Sequence, residues 1–194
     1  MESTVDDRRL TSRQLDLRAG LVDLVLAQGF SHLTMDDVAA QLGCSKRTLY
    51  ALAPSKEQLS TMAVREFFRR ATAQVEATIA RTRLPARRVT RYLEAVAETL
   101  APASRAFYDD VAGFGPAREI YDSNTVAAAQ RVRELIDEGT RAGAFRRAPT
   151  PFVAEVVTAT MRRISSGDVQ RSTGLTDAEA YAELARLVLA ALRH

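Results

Sequence analysis

The sequence predicts an all-α fold of about nine helices. Apolar residues recur at steps of three and four in almost every long stretch, prolines and most glycines fall between those stretches, and Ser or Thr stands where they begin. Only Phe152–Met161 is rich enough in β-branched residues to argue for a strand.

Leu17, Leu21, Leu24 and Val25 make the stripe of a first helix, opened by Thr11 or Ser12 and stopped by Gly29. Thr34 opens a short second helix with Asp36 and Asp37 in its first turn, where the helix dipole favours anions, and Val38, Ala39 and Leu42 turned inward. It ends at Gly43. Ser45 caps a third helix from Lys46 to about Leu52, which Pro54 prevents from continuing. Ser55-Lys-Glu-Gln58 is a capping box for a long fourth helix carrying Val64, Phe68, Ala71, Val75 and Ile79, with Pro85 marking its end.

The fifth stripe is Val89, Tyr92, Leu93, Val96, Ala97 and Leu100, stopping before Pro102. Phe107, Tyr108 and Val111 suggest a short sixth helix closed by Gly113, Gly115 and Pro116; a seventh runs from about Ala117 to Arg141 with Ile120, Ala128, Val132, Leu135 and Ile136 apolar. In the β-branched segment, Phe152, Val153, Val156, Val157, Thr160, Met161 and Ile164 pair off at helical spacing behind Thr150-Pro151, an N-cap with proline at the first helical position. Periodicity outweighs composition, and this is an eighth helix. The last begins at the capping box Thr176-Asp-Ala-Glu179 and carries Ala180, Leu184, Leu187, Val188, Ala191 and Leu192.

Composition narrows the function. The chain has 194 residues, 46% of them hydrophobic and 26% charged, so it can bury a sizeable core without metal or disulfide. Its single cysteine, Cys44, excludes an intramolecular disulfide, and no stretch approaches the ~18 apolar residues that span a bilayer. A cytoplasmic protein with no membrane partner is expected. The net charge of +3 is unevenly placed: −1 over residues 1–60, +6 over 61–91 and −2 over 92–194. Any nucleic-acid argument therefore rests on the placement of particular residues, not on a generally basic domain.

Catalysis finds no support. There is no P-loop, no Gly-x-Gly-x-x-Gly and no Gly-x-Ser-x-Gly; His32 and His194 lack metal-ligand companions; the pairs Asp36-Asp37 and Asp109-Asp110 have no His partner. No enzyme, cofactor or metal is expected. Cys44 follows the turn glycine, where a small apolar side chain packs, and is expected to be buried and inert.

Thr34-Met-Asp-Asp-Val-Ala-Ala-Gln-Leu-Gly-Cys-Ser-Lys-Arg-Thr-Leu-Tyr50 reads as a helix-turn-helix, two helices joined by a tight turn, the second short and starting with polar and basic residues. Val38, Ala39, Leu42, Cys44 and Leu49 bury one side; Ser45, Lys46, Arg47, Thr48 and Tyr50 stay outside. An exposed arginine there can grip guanine O6 and N7 through two parallel hydrogen bonds, while Tyr and Lys hold backbone phosphate irrespective of sequence.

The flanks sharpen the motif. Leu17, Leu21, Leu24, Gly29, Phe30, Thr34, Val38, Ala39, Gly43, Thr48-Leu49-Tyr50 and Ser55-Lys56-Glu57-Gln58-Leu59 resemble the N-terminal DNA-binding domain of TetR-family transcriptional regulators. The resemblance implies a homodimeric regulator with a helix-turn-helix DNA-binding domain over residues 1–58 and a helical ligand-binding and dimerisation domain over 59–194. It implies phosphate-contacting roles for Thr34, Thr48, Tyr50 and Lys56, and groove reading by Ser45, Lys46 and Arg47. The expected partners are double-stranded operator DNA, a second copy, and a small apolar or amphipathic effector that releases a repressor from a pseudo-palindromic site. Where family members commonly carry an aromatic pair after the tyrosine, this chain has Ala51-Leu52-Ala53.

Phe68, Tyr92, Phe107, Tyr108, Phe114 and Tyr121, with Thr158 and Arg162, are as a group compatible with an apolar effector pocket bearing a few polar handles; taken singly, each aromatic is better read as core, and Arg162 is equally a surface or interface ion-pair residue. The wide apolar stripes of the last two helices, Val153, Val157, Thr160, Leu184, Leu187, Val188 and Ala191, predict a dimer interface. The alternative is an α-helical ligand-binding or protein-interaction module whose helix-turn-helix is only structural. Against it stands the gathering of Lys46, Arg47, Thr48, Tyr50 and Lys56 around one short helix, which includes both lysines of the chain.

Overall fold

A computed structural model describes residues 11–145 and 150–192. Among them the chain forms ten helices and no strand: α1 Ser12–Gln28, α2 Met35–Gln41, α3 Lys46–Leu52, α4 Lys56–Arg81, α5 Pro85–Leu100, α6 Arg105–Gly113, α7 Gly115–Arg141, α8 Thr150–Ser165, α9 Asp168–Thr173 and α10 Asp177–Leu192. The segment rich in β-branched residues lies in α8. The helix beyond the expected nine is α9, six residues with no buried side chain, held between Gly167 and Gly174 in the left-handed region. Without an apolar stripe it leaves no periodic trace. Pro85 also plays a different part from the one expected: α4 stops at Arg81, and Pro85 is the first residue of α5, where its missing N–H costs nothing.

The chain divides into two compact units, residues 1–67 with 103–117, and residues 68–102 with 118–194. The first holds α1, α2, α3, the opening turns of α4, α6 and the first residues of α7. Its core is Leu21, Val25, Leu33, Val38, Leu49, Leu59, Val64 and Val111, with Phe67 set edge-on to Phe107 at 5.6 Å and Phe30 edge-on to Phe114 at 5.9 Å. Each fully buried aliphatic side chain contributes roughly 1.5 to 3 kcal/mol. Leu49, with no exposed surface, anchors α3 against this core. Thr11 and Thr34 close reciprocal capping boxes with Gln14 and Asp37, so α1 and α2 begin where sequence places them.

The second unit holds the rest of α4 with α5, α7, α8, α9 and α10. α10 packs on α5 and α8. Val89, Leu93, Val132, Leu135, Ile136, Met161 and Ile164 are fully buried, and Gly139 lies so close to the Phe145 ring that a Cβ there would collide with it. Arg131 bridges α7 to α4 through Glu76 at 3.0 Å, and Arg88 bridges α5 to Glu138 of α7. No described helix is long and apolar enough to cross a membrane.

Candidate nucleic-acid interface

The turn between α2 and α3 is short because Gly43 adopts φ +60°, a left-handed conformation that costs a side-chain-bearing residue more than glycine. Ser45 then starts α3: its Oγ accepts the Thr48 backbone N–H at 3.2 Å and shares a hydrogen bond with Thr48 Oγ1 at 2.9 Å. With Leu49 buried, helical spacing leaves Lys46, Arg47 and Tyr50 exposed and Thr48 half-buried.

The exposed cations are not equivalent. Lys46 Nζ lies 2.6 Å from Asp36 Oδ2, and this hydrogen-bonded pair holds the ammonium above its ordinary pKa. Lys56 Nζ, at the start of α4, donates to the Ser31 carbonyl oxygen at 2.5 Å. Arg47 meets no ion-pair or hydrogen-bond partner among the described residues. Of the three it alone offers its whole donor fork, five N–H groups, to an incoming acceptor.

Thr34 has a local task. Its hydroxyl and backbone N–H both donate to Asp37 Oδ2, at 2.6 and 2.8 Å, and these bonds hold the Asp37 carboxyl below the usual carboxylate range. Its hydroxyl proton is therefore engaged, and a bond donated to phosphate would first have to replace the one to Asp37. Tyr50, half exposed, is open to solvent. Cys44 is half-buried, not fully buried as expected, and lines a crevice with Arg13, Leu17 and Gly20. Burial raises its pKa, which keeps it a thiol and unreactive.

One member of this unit escaped the sequence reading. Asp110 on α6 accepts the Phe30 and Ser31 backbone N–H groups, at 2.5 and 2.8 Å, through one carboxylate oxygen. Burial alone would raise its pKa, but these bonds outweigh burial and lower it. Ser104 N–H adds a bond to the Leu26 carbonyl at 2.8 Å, so α6 is tied to the end of α1 twice. Asp109 is exposed and faces Arg105 one turn earlier, whereas the partners of Asp110 lie about 80 residues back in the chain, where no local pattern points to them.

The expected effector residues separate. Phe68, Tyr92 and Tyr121 come together in the second unit, lining a cavity of about 60 Å³ with Tyr181, Asn124 and Thr125. Phe107, Tyr108 and Phe114 belong to the first unit, where Phe107 is fully buried against Phe67 and Tyr108. Thr158 is buried and donates to the Ala154 carbonyl at 2.8 Å, while Arg162 is exposed in the last turn of α8. Tyr181 of α10 also lines this cavity, with residues far away in sequence that no local pattern links to it.

The proposed seam residues all line one apolar groove of about 380 Å³ formed by α8, α9 and α10. Val157, Leu184 and Val188 form its buried floor; Val153, Thr160 and Ala191 are half-buried; Leu187 is 68% exposed. Phe152 and Val156, one residue to the side of the expected stripe, are exposed on the same groove.

Residues 18–60 match the family model of bacterial regulatory proteins, tetR family. The likeness to that family is carried by this segment, about a fifth of the chain. A 44-residue match, 54% identical, joins it to an uncharacterized HTH-type transcriptional regulator, YvaF, of Bacillus subtilis; it spans 23% of this chain and 23% of that protein, so the shared part is about a quarter of each. Beyond the TetR segment, solved structures share the fold. The fatty acid degradation regulator FadR from Bacillus halodurans superposes with a TM-score of 0.65 at 14% identity, over 96% of this chain and 99% of that one. A Saccharomonospora viridis protein solved in complex with choline superposes with a TM-score of 0.70 at 18% identity, over 90% and 94%.

Proposed function

We propose that this chain is a cytoplasmic DNA-binding transcriptional regulator of the TetR family, a homodimeric repressor that leaves a pseudo-palindromic operator when a small apolar or amphipathic molecule binds. The observation that carries the reading is Arg47: a guanidinium with no partner among the described residues, on the solvent side of a short capped helix whose opposite side is fixed in the core by Leu49. In this reading Ser45, Lys46 and Arg47 face base edges, and Thr34, Thr48, Tyr50 and Lys56 hold phosphates. Residues 1–58 serve DNA and 59–194 serve the effector and the second copy.

A two-fold dimer must present its recognition helices about 34 to 36 Å apart, or a multiple of that, to meet successive major grooves. The chain of α4 is common to both units, with residues 56–67 in the first and 68–81 in the second. A ligand that binds better to one arrangement of its second part biases the first, by no more than its differential affinity for the two states. That a similar fold has been solved with choline supports a small-molecule role for the second unit.

The deciding experiment is selection of duplex fragments on the purified protein, followed by titration of the enriched fragment and a scrambled one over a range of salt. The reading requires affinity that falls steeply with salt on both, and roughly a thousandfold preference for the enriched fragment. Equal affinity for the two would remove sequence-specific regulation.

A further inference from the structure

The cavity of the second unit has a chemical bias of its own. Four aromatic rings face it, Phe68 from α4, Tyr92 from α5, Tyr121 from α7 and Tyr181 from α10, with Phe68 stacked on Tyr121 at 5.1 Å. Its lining contains no Lys, Arg or His. Tyr92 and Tyr181 are more than nine-tenths buried, yet their hydroxyls have no hydrogen-bond partner among the described residues. Asn124 commits its amide nitrogen to the Ile120 carbonyl, which leaves its oxygen as a further acceptor.

Behind the rings is a negative charge. The Asp177 carboxylate is buried and accepts the Tyr121 hydroxyl, and Asp177 precedes Tyr181 by one turn of α10. Burial raises its pKa to about 6, against the opposing effect of the Tyr121 bond, so it is largely ionised at neutral pH. The charges acting on Tyr92 are those of Glu76 and Glu134, with Arg131 the opposing cation. Aromatic faces carry the negative end of a quadrupole and attract an ammonium group within about 6 Å, more strongly when water is excluded. An anion would meet the same faces and the same carboxylate, with no basic residue in the lining.

We infer that this cavity takes the head of a small organic cation, a methylated ammonium group seated among Phe68, Tyr92, Tyr121 and Tyr181 with its charge balanced by Asp177. A volume of about 60 Å³ suits a group of a few heavy atoms. This rests on the reading of the second unit as effector-binding, and names the class of effector: an amphipathic molecule whose polar end is positive.

The test uses three probes of nearly one shape on the full-length protein, followed by titration calorimetry: tetramethylammonium, the neutral neopentyl alcohol, and the anion pivalate. Tetramethylammonium is expected to bind roughly ten- to thirtyfold more tightly than neopentyl alcohol, and pivalate more weakly still. Asp177→Asn should weaken the cation alone, and Tyr181→Leu should abolish its advantage over the alcohol. Should either variant fail to fold, the ranking of the three probes on the unaltered protein decides. Equal binding of cation and alcohol, tighter binding of pivalate, or no binding of the cation overturns the inference. Enriched duplex DNA added to the same titrations separates the two readings. If a neutral or anionic molecule releases DNA and tetramethylammonium does not bind, the regulatory reading stands and the cation class fails. If tetramethylammonium binds as expected without changing DNA affinity, the cation class stands and effector control of DNA binding fails.

Discussion

Asp110 holds Ser31 from a helix 79 residues further along the chain: its Oδ2 accepts the Ser31 backbone N–H at 2.8 Å, with the Phe30 N–H on the same oxygen. The Ser31 carbonyl is taken by Lys56. The loop that leads into α2 is thus gripped by its backbone from α6 and from α4, all within the first unit. Gly29 is the fitting neighbour for this arrangement, since its φ of +78° is left-handed and a Cβ there would run into the Asp110 carboxylate.

Asp110→Ala should therefore lose about 0.5 to 1.5 kcal/mol of stability, because a part-buried Phe30 N–H and an exposed Ser31 N–H lose their acceptor. Since the folded pKa of Asp110 is depressed, its contribution is present above the unfolded carboxylate range and fades as pH falls through the folded value. Gly29→Ala should be worse than the ordinary cost of alanine at positive φ, which is about 1 kcal/mol. Urea denaturation of both variants at pH 7 and pH 4 checks this. An Asp110→Ala protein as stable as the parent at pH 7 would show that water replaces the carboxylate freely.

Arg47 and Lys56 should fail differently on DNA. Arg47→Ala should lose roughly 1 to 3 kcal/mol on the selected operator and relax preference at the bases it reads. Lys56→Ala should weaken selected and scrambled duplexes alike and lower the salt slope by about one unit. Because Lys56 also binds the Ser31 carbonyl, its variant is compared after denaturation shows the fold intact. Anisotropy titrations over a range of salt report all three quantities, and an equal loss on both duplexes for Arg47→Ala would reassign it to phosphate.

The groove of α8, α9 and α10 should be the seam of the dimer, and the residues to charge are those on its rim. Val157 is 1% exposed, so an arginine there would unfold the unit and say nothing about association. Phe152 and Leu187 are 66% and 68% exposed, so Phe152→Arg with Leu187→Arg alters the surface while sparing the core. Sedimentation should then find monomers with unchanged helix content. A dimer that persists at the same concentration places the seam elsewhere.

Asp177 should make stability fall as pH rises from about 4 to about 6. In that interval the folded chain keeps the proton that the unfolded chain releases, and above it the buried charge is borne in full. Asp177→Asn should flatten this part of the profile. Above pH 7 it should stabilise the protein by an amount on the order of 2 kcal/mol, less whatever the Tyr121 bond loses. Thermal denaturation from pH 4 to pH 8 gives the profile; a parent protein whose stability rises over the same range would contradict the raised pKa.

Local rules decided much of this protein from its sequence. Helical periodicity set most of the helices and their buried faces, and Thr34, Ser45 and Thr176 mark helix starts because a capping side chain bonds only two or three residues away. The exposed row on α3 was equally legible, since one buried Leu49 fixes which way its neighbours point. Pairing between distant segments was decided only by the tertiary structure. The sequence could not assign Asp110 to the loop after α1, Tyr181 to a cavity with Phe68, or Asp177 to Tyr121, because each partner lies tens of residues away and nothing local distinguishes it. The same physics divided the aromatics: Phe107 and Tyr121 look alike on their own helices, and only what packs against each ring makes one core and the other a cavity wall. α9 is the converse case, a helix held by two left-handed glycines with no buried face to announce it.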